Sequence, residues 1–211
     1  MNHDWQNCRY LTIQVPFTDA WLIEKQKIDT AEVRLDDGRT ISAEQRKKAY
    51  ATIKDISNYT GYAPEECKEV MKYLYIEETG EPYFSFSDCN MTTARLFITY
   101  LIDFCLRYNV PCRDALINRC EDVGHYLYSC LINKRCCLCG KPCDIHHAEN
   151  SRVGMGRDRT EIAHAGLYAF ALCREHHAEA HTMPEKEFCN KYHVFSIRID
   201  EEIAKKYKLK E

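Results

Sequence analysis

Cys136-Cys137-Leu138-Cys139, Asp144-Ile145-His146-His147 and Leu172-Cys173-Arg174-Glu175-His176-His177-Ala178-Glu179-Ala180-His181 decide the fold of the last third of this chain. These blocks hold more metal-type ligands than one ion can use. A structural zinc takes four groups in a closed tetrahedron, typically thiolates and imidazoles. Cys136-x-x-Cys139 before Gly140 predicts a tight knuckle that brings two thiolates to one ion, and Cys173-x-x-His176 supplies the second pair. Cys137 and Cys143 are the alternative sulfur ligands. His146, His147, His177 and His181 then remain unassigned. Seven of the nine histidines lie beyond residue 145.

Local periodicity places these spare imidazoles. His177 and His181 are four apart on a predicted helix and share a face. His146 and His147 are adjacent on a predicted strand and point to opposite sides. Residues 148–171 contain Gly154, Gly156, Arg152, Arg157 and Arg159 and return through Gly166 to the strand-like run Leu167–Leu172. The order is strand, loop, strand, helix.

Working outward, the helical periodicity of residues 42–131 changes at Ile132–Cys136 to Cys, Gly and Pro, which sets an expected domain boundary at 131/132. Residues 132–211 are few for an independent fold, and a zinc clip is a common remedy. Upstream, Arg9–Val15, Trp21–Gln26 and Ala31–Leu35 read as short strands, with a turn at Asp36-Asp37-Gly38-Arg39. Ser42 and Gln45 form a capping-box pattern for a helix that Gly61 closes. Pro64 opens a second helix, Asn90 caps a third, and Pro111 is expected to begin a fourth that reaches Leu131. Their apolar and aromatic stripes read as core packing. Downstream, Pro184–Tyr192 is expected as a helix, Phe195–Ile199 as a strand and Glu201–Tyr207 as a helix. The expected class is α+β: an N-terminal hairpin-plus-helices domain, 1–131, and a zinc-stabilised strand-strand-helix domain, 132–211.

Composition narrows the class. Of 211 residues, 45% are apolar and 29% charged, so a folded globular protein is expected. No run of about 18 apolar residues suggests a membrane span. Met1–Tyr10 does not read as a secretory signal. The thirteen cysteines are therefore read as reduced thiols and metal ligands of a cytoplasmic protein. Net charge is −3; residues 1–131 carry 15 Lys+Arg against 20 Asp+Glu, and residues 132–211 carry 14 against 12. Contact with phosphates must then come from local patches. The candidates are Arg46-Lys47-Lys48, Lys134-Arg135, the arginines at 152, 157 and 159, and the tail lysines at 205, 206, 208 and 210. For the tail, a solvated charged face is the simpler reading.

The order Cys-x-x-Cys, His-His, Leu-Cys-x-x-His-His-x-x-x-His over about residues 132–185 resembles the HNH endonucleases, whose core is a ββα-metal fold. That resemblance implies His147 as the general base, and His146 and His177 as ligands of a catalytic divalent ion (Mg²⁺, Mn²⁺ or another), with His181 completing or supporting the site. The ion would contact the scissile phosphate of DNA and stabilise the leaving 3′ oxygen, with hydrolysis leaving a 5′ phosphate. Arg157 and Arg159 would hold backbone phosphates. The chain departs from the family at the middle position, where an Asn orients the base. No Asn lies between Asn150 and Cys173. Spacing points to Tyr168; His164 is the other polar candidate, because an imidazole can donate or accept the orienting bond.

Leu35–Ser42 followed by Gln45-Arg46-Lys47-Lys48 is similar to the phage Orf/NinB recombination family, in which a hairpin precedes a Gln-x-x-Lys helix. The resemblance implies a homodimer that binds single-stranded or branched DNA, or single-strand-binding protein, with Arg46, Lys47 and Lys48 as DNA contacts. Fusion of such a domain to an HNH module resembles a group of phage HNHc nucleases, acting in the cytoplasm of a bacterial host. The alternative is a non-catalytic, zinc-stabilised recombination mediator.

Overall fold

A computed structural model describes Ile23, residues 38–151 and residues 163–210. The expected strands at Arg9–Val15 and Ala31–Leu35 lie outside the described residues. Of the strand expected over Trp21–Gln26 only Ile23 is described, and its backbone is helical rather than extended; the rest lies outside the described residues.

Gly38–Glu211 forms one compact unit, and Met1–Asp37 another. The larger unit is α+β. Helix α1 spans Ala43–Thr60, with both arms of the Ser42/Gln45 capping box made, and Gly61 at φ 83° closes it. That left-handed conformation costs glycine little. Helix α2 spans Pro64–Thr79, and α3 spans Met91–Tyr108 behind its Asn90 cap. Phe97, fully buried, sits among Tyr75, Phe84 and Phe86 at centroid distances of 5.1–5.7 Å. These tilted and edge-on aromatic contacts join α2, α3 and the 81–88 loop.

The fourth helix departs from expectation. Residues 111–122 are irregular apart from a 3-10 turn at Leu116–Asn118, and α4 runs only from Val123 to Ile132. The cause is tertiary. Arg119 is buried, donating to Asp55 on α1 at 2.7 Å and to Asp114 at 3.2 Å, while the Arg113 N–H also meets Asp55. This buried network holds the segment in an irregular path, and Asp122, whose carboxylate accepts from the His125 N–H, restarts the helix.

The remaining elements are β1 (Asp144–His147), a 3-10 turn (Glu149–Ser151), β2 (Tyr168–Leu172), α5 (Arg174–Ala180), α6 (Glu185–Tyr192), β3 (Ile197–Arg198) and α7 (Glu201–Tyr207). They form a three-stranded antiparallel sheet ordered β1-β2-β3. The third strand is two residues long, shorter than the expected Phe195–Ile199, because only Ile197 and Arg198 pair with β2. β2 is the central strand, and its Ala169–Leu172 stretch is buried. Helix α4 packs on β2 and α7. One apolar cluster runs from Ile41 to Ala204, across position 131/132.

Candidate active site

The knuckle begins where α4 ends. Arg135 pairs with Pro142 in an antiparallel bridge, the Cys136 N–H donates to the Lys141 carbonyl, and Gly140, at φ 69°, donates back to Cys136. The Cys137 N–H donates to Ala171 on β2, and the Tyr126 hydroxyl donates to the Cys137 carbonyl. These two bonds fasten the knuckle to the sheet and to α4. Cys173 follows β2 directly and is the N-cap of α5, so one helical turn carries His176 back to it.

Together these elements gather Cys136, Cys139, Cys173 and His176, with ligand atoms all within 4.8 Å of one another. The Cys139 and Cys173 sulfurs are 3.6 Å apart, and His176 Nδ1 lies 3.4 Å from Cys136 and 3.2 Å from Cys173. A tetrahedral zinc with bonds of about 2.0–2.3 Å needs ligand spacings of about 3.4–3.8 Å, so the four residues fit that ion. Burial pushes the Cys139 thiol up to about 12. At Cys173 burial also opposes ionisation, but backbone N–H groups of His176 and Glu175 and the neighbouring Cys139 and Cys136 thiols hold its thiol below the usual range. A cation would reverse the penalty at Cys139. The alternative sulfurs lie elsewhere. Cys137 is fully buried in the apolar core, and Cys143 contacts the Tyr207 hydroxyl at 3.7 Å.

The second cluster lies on α5 and the outer strand. His146, His177 and His181 can bring one ring nitrogen each within 4.8 Å of the others. Ring centroids are 4.5 Å apart for His146–His177, 4.8 Å for His146–His181 and 5.0 Å for His177–His181. The register His146↔Phe170 fixes the strand residue. His181 lies one residue past α5 but keeps right-handed helical backbone, so it stays over His177. Nitrogens bound to one ion at about 2.0–2.1 Å sit roughly 3–4 Å apart, and small side-chain rotations close the remaining gap. All three rings are at least partly exposed to solvent.

His147 points away from that cluster, as strand alternation requires. Its Nε2 lies 2.9 Å from Nδ1 of His164. His164 is buried, at 1% exposure, and its N–H donates to the Lys210 carbonyl. The chain's tail thus anchors the residue that holds His147. Tyr168, the position that simple spacing picks, is half exposed and only its backbone is engaged, its N–H donating to Ser151 and its carbonyl accepting from Ala148.

The basic candidates separate. Arg152, Arg157 and Arg159 lie outside the described residues. Arg46, Lys47 and Lys48 sit on α1 and belong to neither ligand cluster. Lys48 is engaged by Glu44 at 3.3 Å and Glu121 at 3.6 Å; Lys47 is exposed. Arg46 lines a cleft with Lys68, Lys72 and Tyr83. Arg46 on α1, the two lysines on α2 and Tyr83 on the following loop meet only through packing, so a single sequence carries no signal that unites them.

A strand-strand-helix unit thus carries a Cys3His cluster that could hold a metal ion and, separately, a cluster of three histidines. The family model described as "Putative HNHc nuclease" matches residues 13–210, and the chain belongs to that HNH nuclease family. Comparison with curated proteins and with solved structures finds no match. Among the described residues, no helix is long and apolar enough to cross a membrane.

Proposed function

We propose that the protein is a metal-dependent DNA endonuclease that hydrolyses a phosphodiester bond and leaves a 5′ phosphate. The observation that carries this reading is the separation of His146 and His147: adjacent in sequence, they serve opposite sides of one strand. Cys136, Cys139, Cys173 and His176 would hold a structural zinc, and His146, His177 and His181 a second divalent ion. When bound, that second ion would supply positive charge to the scissile phosphate and the leaving 3′ oxygen.

His147 is the general base. Its Nε2 meets His164 Nδ1, and in the tautomer with the proton on Nε2 its Nδ1 would take a proton from the attacking water. His164 therefore acts as the positioning residue, where relatives of this class use Asn. Arg157 and Arg159, outside the described residues, are proposed for phosphate binding, as the resemblance implies. A zinc there would tie the Cys136–Cys139 knuckle to the end of β2 and the start of α5.

The wider setting is part of the same proposal. Residues 1–131 form a recombination or DNA-binding part and residues 132–211 the nuclease part. The protein acts on phage DNA in the host cytoplasm, on single-stranded or branched substrates, as a homodimer, with single-strand-binding protein as a further partner. The test is plasmid nicking with Mg²⁺ or Mn²⁺ by the parent and by His147→Ala. The parent is expected to cut, and the variant to lose about 10²–10⁴-fold in rate. If neither cuts over a panel of ions and of single-stranded, duplex and branched DNA, the protein is a zinc-stabilised binding protein instead.

A further inference from the structure

A cleft of about 390 Å³ opens between α1, α2 and the 81–88 loop, and none of its lining residues comes from the histidine or sulfur clusters. Its cations are Arg46, Lys68 and Lys72, against the single carboxylate of Glu69. Glu69 is already engaged, by Lys72 at 3.2 Å, Lys68 at 3.7 Å and the Tyr83 hydroxyl at 2.8 Å. Lys68 is also paired with the exposed Glu65, so three cations face two carboxylates and one positive charge is in excess.

Lys72 is deeply buried, and its ammonium lies 5.1–5.5 Å from the ring centroids of Tyr83, Phe84 and Phe86. It is fixed in place and contributes field rather than a mobile contact. Arg46 is different. Its Nε is buried and makes no hydrogen bond. A buried N–H without an acceptor costs roughly 1–3 kcal/mol, so an oxyanion in the cleft that drew the Arg46 side chain toward it would relieve that cost. A guanidinium also offers the paired N–H groups that match a phosphate.

The walls indicate which anion. Tyr50 and Tyr83 line the cleft and are 41% and 57% exposed. Tyr50 is held edge-on against Phe86 at 5.4 Å, and Tyr83 continues to the exposed Tyr73 at 6.1 Å. Exposed aromatic faces beside a cationic floor suit a group that is both anionic and flat. The hydroxyls of Ser85 and Ser87 lie on the same side. We propose that this cleft is a nucleoside-phosphate site, with phosphate on Arg46 and Lys68 and the base against Tyr50 or Tyr83. The volume suits about one nucleotide unit. That unit is either part of a single strand or a free nucleotide.

The test is fluorescence anisotropy of a labelled oligothymidylate, about ten nucleotides long, on the full chain. The His147→Ala background keeps the strand intact. The expected result is salt-sensitive binding that Arg46→Gln weakens about tenfold or more, that Lys68→Gln weakens while lowering the salt slope by about one, and that Tyr50→Ala weakens at least fivefold. Unchanged melting temperatures show that the variants are folded. Displacement by thymidine monophosphate identifies a site that also takes the free nucleotide; failure of the mononucleotide with success of unlabelled strand identifies the strand as ligand. The proposal is overturned if Arg46→Gln and Lys68→Gln both bind like the parent, if inorganic phosphate competes as well as the nucleotide, or if no nucleotide or strand binds. Metal-dependent nicking by the unsubstituted protein is scored separately, so failure here leaves the nuclease reading standing and the reverse also holds.

Discussion

Replacing His164 by Ala isolates the least family-like part of the site. In the structure the buried His164 ring meets His147 through one 2.9 Å nitrogen–nitrogen contact. Its loss removes that contact from His147. A hydrogen bond to a buried group is worth about 1–3 kcal/mol when one partner is removed. Expressed entirely in the transition state, that is a fall of about 5- to 150-fold in rate. This is smaller than the expected loss on removing the base itself, because a misoriented imidazole still samples the productive position. The measurement is single-turnover cleavage of a labelled DNA at saturating Mn²⁺, with DNA affinity read separately. The rate is expected to fall with affinity unchanged, and zinc content is expected to stay at the parental value. His164→Asn, which restores an amide partner, is expected to recover part of the loss. Cleavage by His164→Ala at the parental rate, with parental metal content, would refute the positioning role. So would a loss larger than that of His147→Ala, since an orienting residue cannot outweigh the group it orients.

Other consequences follow from the same geometry. Cys173→Ala is expected to abolish stoichiometric zinc and to collapse the β1-β2-α5 unit; elemental analysis and thermal melting check this, because structural zinc binding of about 10–16 kcal/mol rivals the whole stability of a domain. His177→Ala is expected to keep that zinc while losing nicking, which separates the two sites by metal count against activity. The Asp103 carboxylate, 2.6 Å from His125, raises the histidine's pKa, so the pair contributes stability that is complete below about pH 6.5 and lost as pH rises through the elevated folded value. Urea unfolding should therefore show the parent's advantage over Asp103→Asn shrinking from pH 6 to pH 9. With His125 43% exposed, that advantage is expected to stay under about 1 kcal/mol. Phe97→Ala, at a fully buried position among three other rings, is expected to cost about 3–5 kcal/mol in the same assay.

Some of this was legible along the chain. Ser42 with Gln45, Pro64 and Asn90 carry their helix starts locally, since a cap needs only residues within one turn, and the structure keeps all three. Strand alternation sends His146 and His147 apart, and helical spacing stacks His177 near His181; both are backbone periodicities that no packing can alter. The Cys-x-x-Cys and Cys-x-x-His spacings likewise contain their own reach. The fourth helix was not legible, because Asp55, sixty-four residues away, draws Arg119 inward and breaks the helical path. Nor was the partner of His147. Spacing pointed to Tyr168 and imidazole chemistry to His164; the tail, through the Lys210 carbonyl, holds the His164 backbone where its ring meets His147. The Arg46 cleft is the same kind of fact, since two helices and a loop supply its walls. The sequence by itself determined the candidate ligands and the sides of the elements they occupy, because those follow from covalent spacing. Only the tertiary structure decided which groups meet across the chain, because such meetings depend on packing that no local pattern encodes.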